Sequence, residues 1–425
     1  MKYLFLFVPL LILFSCQNSE QAQVTNQKDY NKFLVSSPSR TTSKYYELWN
    51  SKIKPDSMQL TSFGIVAGEY NRYFQNTGDI TYLKKAEQAL EKAVEIAAIG
   101  KAGYERALAR NYISQHRFRE ALTLAEDARK WGSGVEDTQS LLFDIHMELG
   151  NYSKAEQYLD SIKNMSQFGY LIRAAKWNDY KGDLDTTIRF MEMAKQKAEN
   201  SKNSALMLWS YTNIADYYGH AGKIKESYDY YLKSLQLDPR SAYAKKGIAW
   251  IVFSHEKNPE EALRILDSVT KNYSAPDYYL LKSEIAAFQK NELESLANLD
   301  KYYMAMQNPS YGDMYNAYNA SLYLEQTGQY EKALMIAEKE VENRPTPHSY
   351  DLLAYGYLKI GKKDKALQVV EDYIEGKTFE PNILYHAAEI YKANGRMSKV
   401  VELKKELSGA AYELGPDMAS RITKL

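Results

Sequence analysis

The residue types that most often carry out chemistry are sparse in this sequence and do not cluster. No two histidines stand at metal-binding spacing, and they occur at His116, His146, His220, His255, His348 and His386. The sequence contains no glycine-flanked nucleophilic serine, no phosphate-binding loop and no dinucleotide-binding glycine motif. Acidic residues are abundant, but no pair is marked out for acid–base catalysis. The sequence therefore predicts a protein that is not an enzyme and has no catalytic site, metal or cofactor.

Cys16 is the one cysteine of the chain, so an intramolecular disulfide is excluded. It follows Lys2 and an apolar run over residues 3–14, which is too short for an ordinary transmembrane helix and typical of an export signal. The tetrapeptide Leu-Phe-Ser-Cys at 13–16 resembles the lipobox of bacterial lipoproteins. The resemblance implies a signal peptide at 1–15, a thioether from Cys16 to diacylglycerol, and acylation of the new N-terminus. The alternative is a plain secretory signal that ends in cysteine.

The implied location is the cell envelope, with the protein held at a membrane by lipid on Cys16. Gln17 favours the outer membrane, because in the enteric version of this pathway an Asp at that place retains the protein in the inner membrane. Which face of the membrane carries the protein stays open.

Charge and composition limit the classes of partner. Lys+Arg and Asp+Glu both number 54, which argues against a general electrostatic grip on nucleic acid. Hydrophobic residues make up 45% of the chain, enough for a sizeable core. The 37 tyrosines predict many half-buried rings with hydroxyls near water.

Residues 16–42 are rich in Gln, Asn, Ser and Thr, and we predict a flexible tether there. The end of the tether is open, because Tyr30, Phe33 and Leu34 could dock on the body. An N-terminal helical segment is predicted at 43–66, a repeat region at 67–415 and a C-terminal tail at 416–425.

Short turns recur through the repeat region at gaps between 32 and 40 residues. Six of the nine are glycines, which fits a left-handed residue closing the first helix of a hairpin. Small residues such as Ala121 and Ala366 stand five places after most turns, where two helices approach closely. The turns lie at His116, Gly150, Gly182, Gly222, Lys257, Asn291, Gly328, Gly361 and Gly395. The unit at Asn291 is irregular, with Glu284 and Leu296 where small residues are usual, and an earlier unit surrounds Gly78.

An aromatic or aliphatic residue, a turn and a small residue recur with a period near 34. This pattern resembles the tetratricopeptide repeat. The resemblance implies an all-α fold, a right-handed superhelical solenoid of antiparallel helix pairs with about ten repeats. Stacked pairs bury an apolar stripe that no pair can bury alone.

In such a superhelix the first helix of each pair lines the concave surface. The places exposed there predict an acidic early groove after Arg106 and Arg110, with Asp137, Asp144 and Glu148. The late groove alternates tyrosines with single charges, and tyrosine is enriched at binding hot spots. The predicted groove-binding residues are Trp209, Asp216, Tyr278, Tyr315, Tyr318, Asp351, Tyr355 and Tyr385.

Two functions fit these observations. The first is a membrane-anchored scaffold that binds a protein or peptide partner in an envelope or surface complex. The alternative is a glycan- or nutrient-binding outer-membrane lipoprotein partnered with a transporter. Known proteins of that second kind carry long irregular insertions, whereas this chain keeps near-regular spacing, which favours the scaffold.

Overall fold

The computed structural model describes residues 23–35, 38, 41–54, 56 and 58–425. Two short helices come first, α1 (Gln27–Leu34) and α2 (Lys44–Asn50). Ten antiparallel pairs follow: α3 (Leu60–Thr77) with α4 (Ile80–Ile96), α5 (Lys101–Ser114) with α6 (Phe118–Lys130), α7 (Val135–Glu148) with α8 (Tyr152–Ser161), α9 (Phe168–Tyr180) with α10 (Leu184–Ser201), α11 (Ser204–His220) with α12 (Ile224–Leu237), α13 (Ala242–Trp250) with α14 (Pro259–Thr270), α15 (Asp277–Phe288) with α16 (Glu292–Met306), α17 (Asn316–Glu325) with α18 (Tyr330–Asn343), α19 (Pro347–Lys359) with α20 (Lys363–Tyr373), and α21 (Pro381–Ala393) with α22 (Met397–Gly409). A last helix, α23 (Ala411–Thr423), follows the ten pairs and has no second helix paired with it. The all-α solenoid of about ten helix pairs is confirmed.

The hairpin turns lie where the sequence pattern places them. Eight of the nine predicted turn residues have a left-handed backbone, including the non-glycine residues His116 (φ 59) and Lys257 (φ 56). In the irregular unit the left-handed residue is Lys290 (φ 60), and Asn291 instead caps α16 by accepting a hydrogen bond from the Glu294 amide. The turn assignment at Asn291 was therefore wrong by one residue.

When repeat positions are counted from Lys290 instead of Asn291, this unit fits the pattern of the others. Ser283 then stands seven places before the turn and Ser295 five places after it, both small residues. Their hydroxyls lie 2.9 Å apart across the α15–α16 interface. The unit therefore follows the same packing rule as the others.

The first helices of the pairs line the inside of the superhelix. Successive first helices contact one another, as α17 does α19 and α19 does α21, in addition to the contacts within each pair. Second helices contact mainly the first helices on either side of them. The solenoid therefore curves with its first helices inward, and we call the surface that they form the inner face.

Successive turns of the superhelix touch along a seam. Gly150 (φ +68) lies so close to the next turn that a Cβ there would stand 2.5 Å from the Pro345 carbonyl oxygen. The Asn343 amide donates to the His116 carbonyl at 3.1 Å, and Arg344 pairs with Glu148 at 3.1 Å. Successive superhelical turns are therefore held together by direct contacts.

The predicted flexible tether is wrong for the described residues from 23 to 35. Helix α1 packs on the outer helices α12 and α14, with Tyr30 only 1% exposed. The Tyr30 hydroxyl donates to Glu261 at 2.7 Å, and the Thr25 amide donates to Glu256 at 2.6 Å. Residues 23–35 are fixed on the body because two aromatic rings, Tyr30 and Phe33, are buried there. Backbone amides of the segment also donate hydrogen bonds to the Glu256 carboxylate. Cys16, the predicted signal peptide at 1–15 and the start of the tether lie outside the described residues.

Two other predicted boundaries also change. The limit between 66 and 67 falls inside α3, so the first pair begins at Leu60. The predicted tail at 416–425 is mostly helical, because α23 runs through it to Thr423. Within α23, Gly415 (φ 81, ψ 168) breaks the helical path ahead of Pro416. None of the helices in the described ranges is both long and apolar enough to cross a membrane.

Candidate functional site: the inner face

The last helix lies on the inner face. Apart from its neighbour in sequence, α22, helix α23 contacts α11, α21 and the π-helical turn Ile251–His255 that extends α13, all of which are first-helix segments. The Tyr412 carbonyl oxygen accepts hydrogen bonds from Trp250 Nε1 at 3.2 Å and from Ser254 Oγ at 2.6 Å. Further along, Leu414 and Ile422 join Tyr385 in one apolar cluster. The predicted tail therefore covers part of the predicted groove.

The π-helical turn changes which side chains of α13 face inward. A π-helical turn adds one residue to a helix, so inward positions that lie before it move back by one place. Counting from Lys257 along a regular α-helix gives Ala244 and Gly247. The structure instead presents Tyr243 and Lys246, and it places Trp250 against α23. The repeat pattern did not identify Tyr243, Lys246 and Trp250 as inward-facing residues, because it does not show that α13 contains an inserted residue.

The turn at Lys290 has the same consequence for α15. Tyr278, a predicted binding residue, is 4% exposed and packs edge-on against Tyr273 with ring centroids 5.1 Å apart. The neighbouring Asp277 and Glu284 take the inward positions. Tyr278 is thus a packing residue, and its expected exposure in the groove was wrong.

A polar network joins the middle of the inner face. Asp216 accepts hydrogen bonds from the hydroxyls of Tyr231 and Tyr243, the latter at 2.7 Å. Lys246 pairs with Asp277 at 2.7 Å. The Tyr315 hydroxyl lies 3.5 Å from Asp277, and its ring is 5.7 Å from that of Tyr318. The structure therefore brings Asp216, Tyr315 and Tyr318 into one region through residues that the sequence did not single out.

Two of the predicted aromatic residues remain open to solvent. Tyr318 is 48% exposed and Trp209 is 40% exposed, with the Trp209 ring edge-on to Phe168 at 5.8 Å. Both belong to first helices. Tyr243, which the π-helical turn brings to the same face, is also open to solvent, at 53% exposed.

The late groove is largely packed rather than open. Asp351 and His386 form a buried pair with oxygen and nitrogen 2.9 Å apart, and the Tyr355 ring stacks on His386 at 3.8 Å. Burial opposes the protonated imidazole, but Asp351 still holds the pKa of His386 above its usual value. Tyr385 is 5% exposed beneath α23. The expected exposure of Asp351, Tyr355 and Tyr385 was therefore wrong, because adjacent first helices and α23 close over them.

The early groove is not a free acidic surface. Asp144 pairs with Arg173 at 2.5 Å, and Glu148 pairs with both Lys176 at 2.9 Å and Arg344 at 3.1 Å. These cations lower the pKa of Glu148 although burial acts to raise it. Two of the three carboxylates of the predicted acidic early groove, Asp144 and Glu148, are thus already neutralised within the chain.

Carboxyl groups with raised pKa values lie around α23. Burial raises the pKa of Asp179, with Glu380 adding to the shift. Burial also raises the pKa values of Glu380 and Glu413, and the Glu413 carboxylate has His220 at 3.9 Å as its nearest cation. For Glu284, burial and then the charges of Asp417 and Glu325 raise the pKa to about 7. These carboxyl groups are therefore harder to ionise than free ones, while Arg421 pairs with Glu325 at 3.4 Å and with Asp417 at 2.9 Å in the same region.

Comparisons with known proteins bear on this fold. A family model described as Tetratricopeptide repeat matches residues 210–241, which span the turn at Gly222 between α11 and α12. Nine further helix pairs repeat that arrangement at similar spacing. The α11–α12 pair is a tetratricopeptide repeat.

Two solved structures are similar to this chain. A tetratricopeptide repeat protein from Parabacteroides merdae is 17% identical, with 61% of this chain and 98% of that chain covered and a TM-score of 0.36. The Cut9-Hcn1 hetero-tetramer of the APC/C is 14% identical, with 94% and 98% covered and a TM-score of 0.35. At these TM-scores neither structure carries an argument about overall shape or function. Among curated proteins, no sequence matches this chain.

The inner face carries side chains that are suited to recognition. Within the described ranges, no three His, Cys, Asp or Glu side chains stand close enough to hold a metal ion. The inner face combines the open rings of Trp209, Tyr243 and Tyr318 with several carboxyl groups and a seated helix. Such a surface can bind a chain segment through ring contacts and charge complementarity.

Proposed function

We propose that this tetratricopeptide-repeat protein is a lipid-anchored scaffold of the cell envelope that binds a protein or peptide partner on its inner face. The repeat family supports a protein-interaction scaffold. The single observation that carries the choice of surface is α23, because the inner face already holds a polypeptide helix.

Capture of a partner by the full-length protein tests this proposal. Protein with Trp209→Ala and Tyr318→Ala together is compared with wild type for capture from solubilised membranes of the organism that makes it. Trp131→Ala is the matched control, since Trp131 is 58% exposed at the end of the second helix α6. We expect the double variant to lose the partner and the control to keep it. Equal capture by all three proteins would move the site off the inner face.

The proposed membrane anchor is based on the Leu-Phe-Ser-Cys motif. The docked segment at 23–35 limits how far Cys16 can lie from the body of the protein. The Val24 amide donates to Glu256 at 2.8 Å, so eight residue steps separate Cys16 from a fixed point on the body. Fully extended, those steps reach about 30 Å at most. A lipid on Cys16 would therefore hold the outer surface near α12 and α14 close to the bilayer.

Fractionation tests the anchor. Wild-type protein is expected in the membrane fraction, with acyl chains added to it during growth on labelled fatty acid. The Cys16→Ala variant should be released into the soluble envelope fraction without label. A variant that stays in the membrane fraction would argue for attachment through a partner instead.

Glycan binding is the second candidate, and a specific cavity favours testing it. A cavity of about 640 Å³ lies where the α3–α4 turn meets the segment before α15, and its lining includes Tyr82, Tyr273 and Tyr279. Half-buried tyrosine rings beside Lys271 and Lys301 offer stacking and polar contacts to a sugar. A polysaccharide-binding screen with wild type and Tyr279→Ala checks this alternative. Binding lost in the variant would support it.

A further inference from the structure

Successive turns of the superhelix contact each other through a recurring pair of elements. In four places, the hairpin end of one helix pair packs against the chain that follows the fifth pair after it. A Cβ added to the glycine of the earlier pair would stand only 2.5 to 2.9 Å from the later segment. The four contacts are Gly78 with Ala275, Gly150 with Pro345, Gly182 with Phe379, and Gly219 with Tyr412. The superhelix is therefore closed by hairpin ends that rest on linkers.

Each end of the superhelix keeps one half of this contact without a partner in the described chain. We call the hairpin turns of the last four pairs, at Lys290, Gly328, Gly361 and Gly395, the turn edge. All four residues are exposed, and a Cβ placed at Gly361 or Gly395 would meet no other part of the described chain within 4 Å. We call the linkers after the first three pairs, at 97–100, 131–134 and 162–167, the linker edge.

Each linker of the linker edge exposes a large apolar side chain. Ile99 is 88% exposed, Trp131 is 58% exposed and Met165 is 45% exposed. A run of such side chains along one edge is typical of a surface that another protein covers.

The linker edge also repeats the register of the internal contacts. Ile99 lies two residues before α5, as Ala275, Pro345 and Phe379 lie two residues before α15, α19 and α21. Ser133 holds the same place before α7 and is small enough to allow a close approach. The linker edge therefore presents to solvent the positions that receive hairpin ends elsewhere in the chain.

We propose that the linker edge of one copy of this chain docks on the turn edge of a second copy, so that the protein self-associates head to tail. The occupant is a second copy, because the contact continues the one that already joins hairpin ends to linkers within the chain. Helix α23 lies on the inner face and leaves the turn edge open. Two different edges meet, so the contact is heterologous and further copies can add to it. It uses neither Trp209 nor Tyr318, and it goes beyond the proposed capture of a partner on the inner face.

Disulfide crosslinking between two purified proteins tests the pairing of the edges. Both proteins are the full chain with Cys16→Ala, which contains no other cysteine. One protein carries Ser133→Cys on the linker edge, and the other carries one cysteine beside a turn of the turn edge. The turn-edge variants are Glu292→Cys, Gln329→Cys, Lys362→Cys and Arg396→Cys.

We expect a disulfide-linked heterodimer between Ser133→Cys and the variant of one turn or of two adjacent turns. Glu406→Cys, on the exposed side of the second helix α22, is the matched control and should give no heterodimer. Absence of a heterodimer with all four turn-edge variants would overturn the proposal. A Ser133→Cys homodimer formed in its place would also overturn it, because two linker edges would then meet each other.

Sedimentation velocity over a range of protein concentrations tests the same contact without crosslinking. Cys16→Ala protein should sediment faster as its concentration rises, and adding Ile99→Asp and Trp131→Asp should abolish that dependence. Leu293→Asp is the matched control, since Leu293 is 84% exposed on the second helix α16, and it should associate like the parent protein. All three proteins should melt alike, because the replaced side chains are exposed. A parent protein that stays monomeric, or a double variant that associates equally well, would refute the proposal.

Discussion

The carbonyl oxygen of Tyr412 accepts a hydrogen bond of 2.6 Å from the Ser254 hydroxyl, although 158 positions separate the two residues in the chain. This contact joins the last helix to the π-helical turn of the sixth pair. A π-helical turn inside an α-helix is rare and often lies at a functional site. Here it supplies the hydroxyl that holds α23 on the inner face.

Removal of the Tyr412 ring should release α23. Tyr412→Ala loses the contact with Gly219, at an expected cost of about 2 kcal/mol, since the ring is half-buried. Hydrogen exchange should quicken through α23 while the second helices α4 and α6 keep wild-type protection. Unchanged exchange in α23 would mean that the ring does not anchor the helix.

The repeat register predicts overpacking at two small residues. Ala121 and Ala366 are both 0% exposed between paired helices. Replacing either with Leu should lower the free energy of unfolding by about 1–3 kcal/mol. Urea denaturation followed by circular dichroism measures the loss, with Ala297→Leu on the exposed side of α16 as control. Variants as stable as wild type would refute the register.

The docked N-terminal segment should contribute to stability. Tyr30→Ala removes a ring that is 1% exposed and leaves the carboxylate of Glu261 with Arg264 as its remaining partner. We expect local destabilisation of about 3 kcal/mol. Limited proteolysis should cut the variant between 23 and 35 well before it cuts wild type. If both proteins are cut there at the same rate, residues 23–35 do act as a tether.

Stability should depend on pH through Glu284. Burial and the charges of Asp417 and Glu325 raise its folded-state pKa to about 7, above the unfolded value of 4.5. The folded state therefore binds more protons between these values, and the free energy of unfolding falls as pH rises from about 4.5 to about 7. Glu284→Gln should flatten this part of the profile and raise stability at pH 8. A profile equally steep in the variant would assign the effect to other groups.

The fold could be predicted from the sequence because the same residue pattern recurs in successive helix pairs. The glycine turns and the small residues at Ala121 and Ala366 each report a local constraint, and their agreement defines the solenoid. A one-residue error arose at Asn291, because the non-glycine residue Lys290 takes the left-handed conformation there. In the unit that turns at Lys257, the π-helical turn shifts the inward positions of α13.

The candidate site was harder to predict, because it depends on contacts between distant parts of the chain. Tyr355 and Tyr385 hold groove positions in the repeat pattern, yet they are 3% and 5% exposed. Tyr385 is covered by α23, whose position no repeat rule specifies. Asp144 and Glu148 are neutralised by Arg173, Lys176 and Arg344, and Arg344 arrives from the next superhelical turn.

The central claim is that partners bind the inner face, and site-specific photo-crosslinking in living cells tests it most directly. A photoreactive phenylalanine analogue replaces Tyr318, which is 48% exposed on the inner face, or Leu293, which is 84% exposed on the second helix α16. We predict a crosslinked partner from position 318 and none from position 293. Crosslinking from position 293 alone would contradict the claim and place recognition on the outer surface.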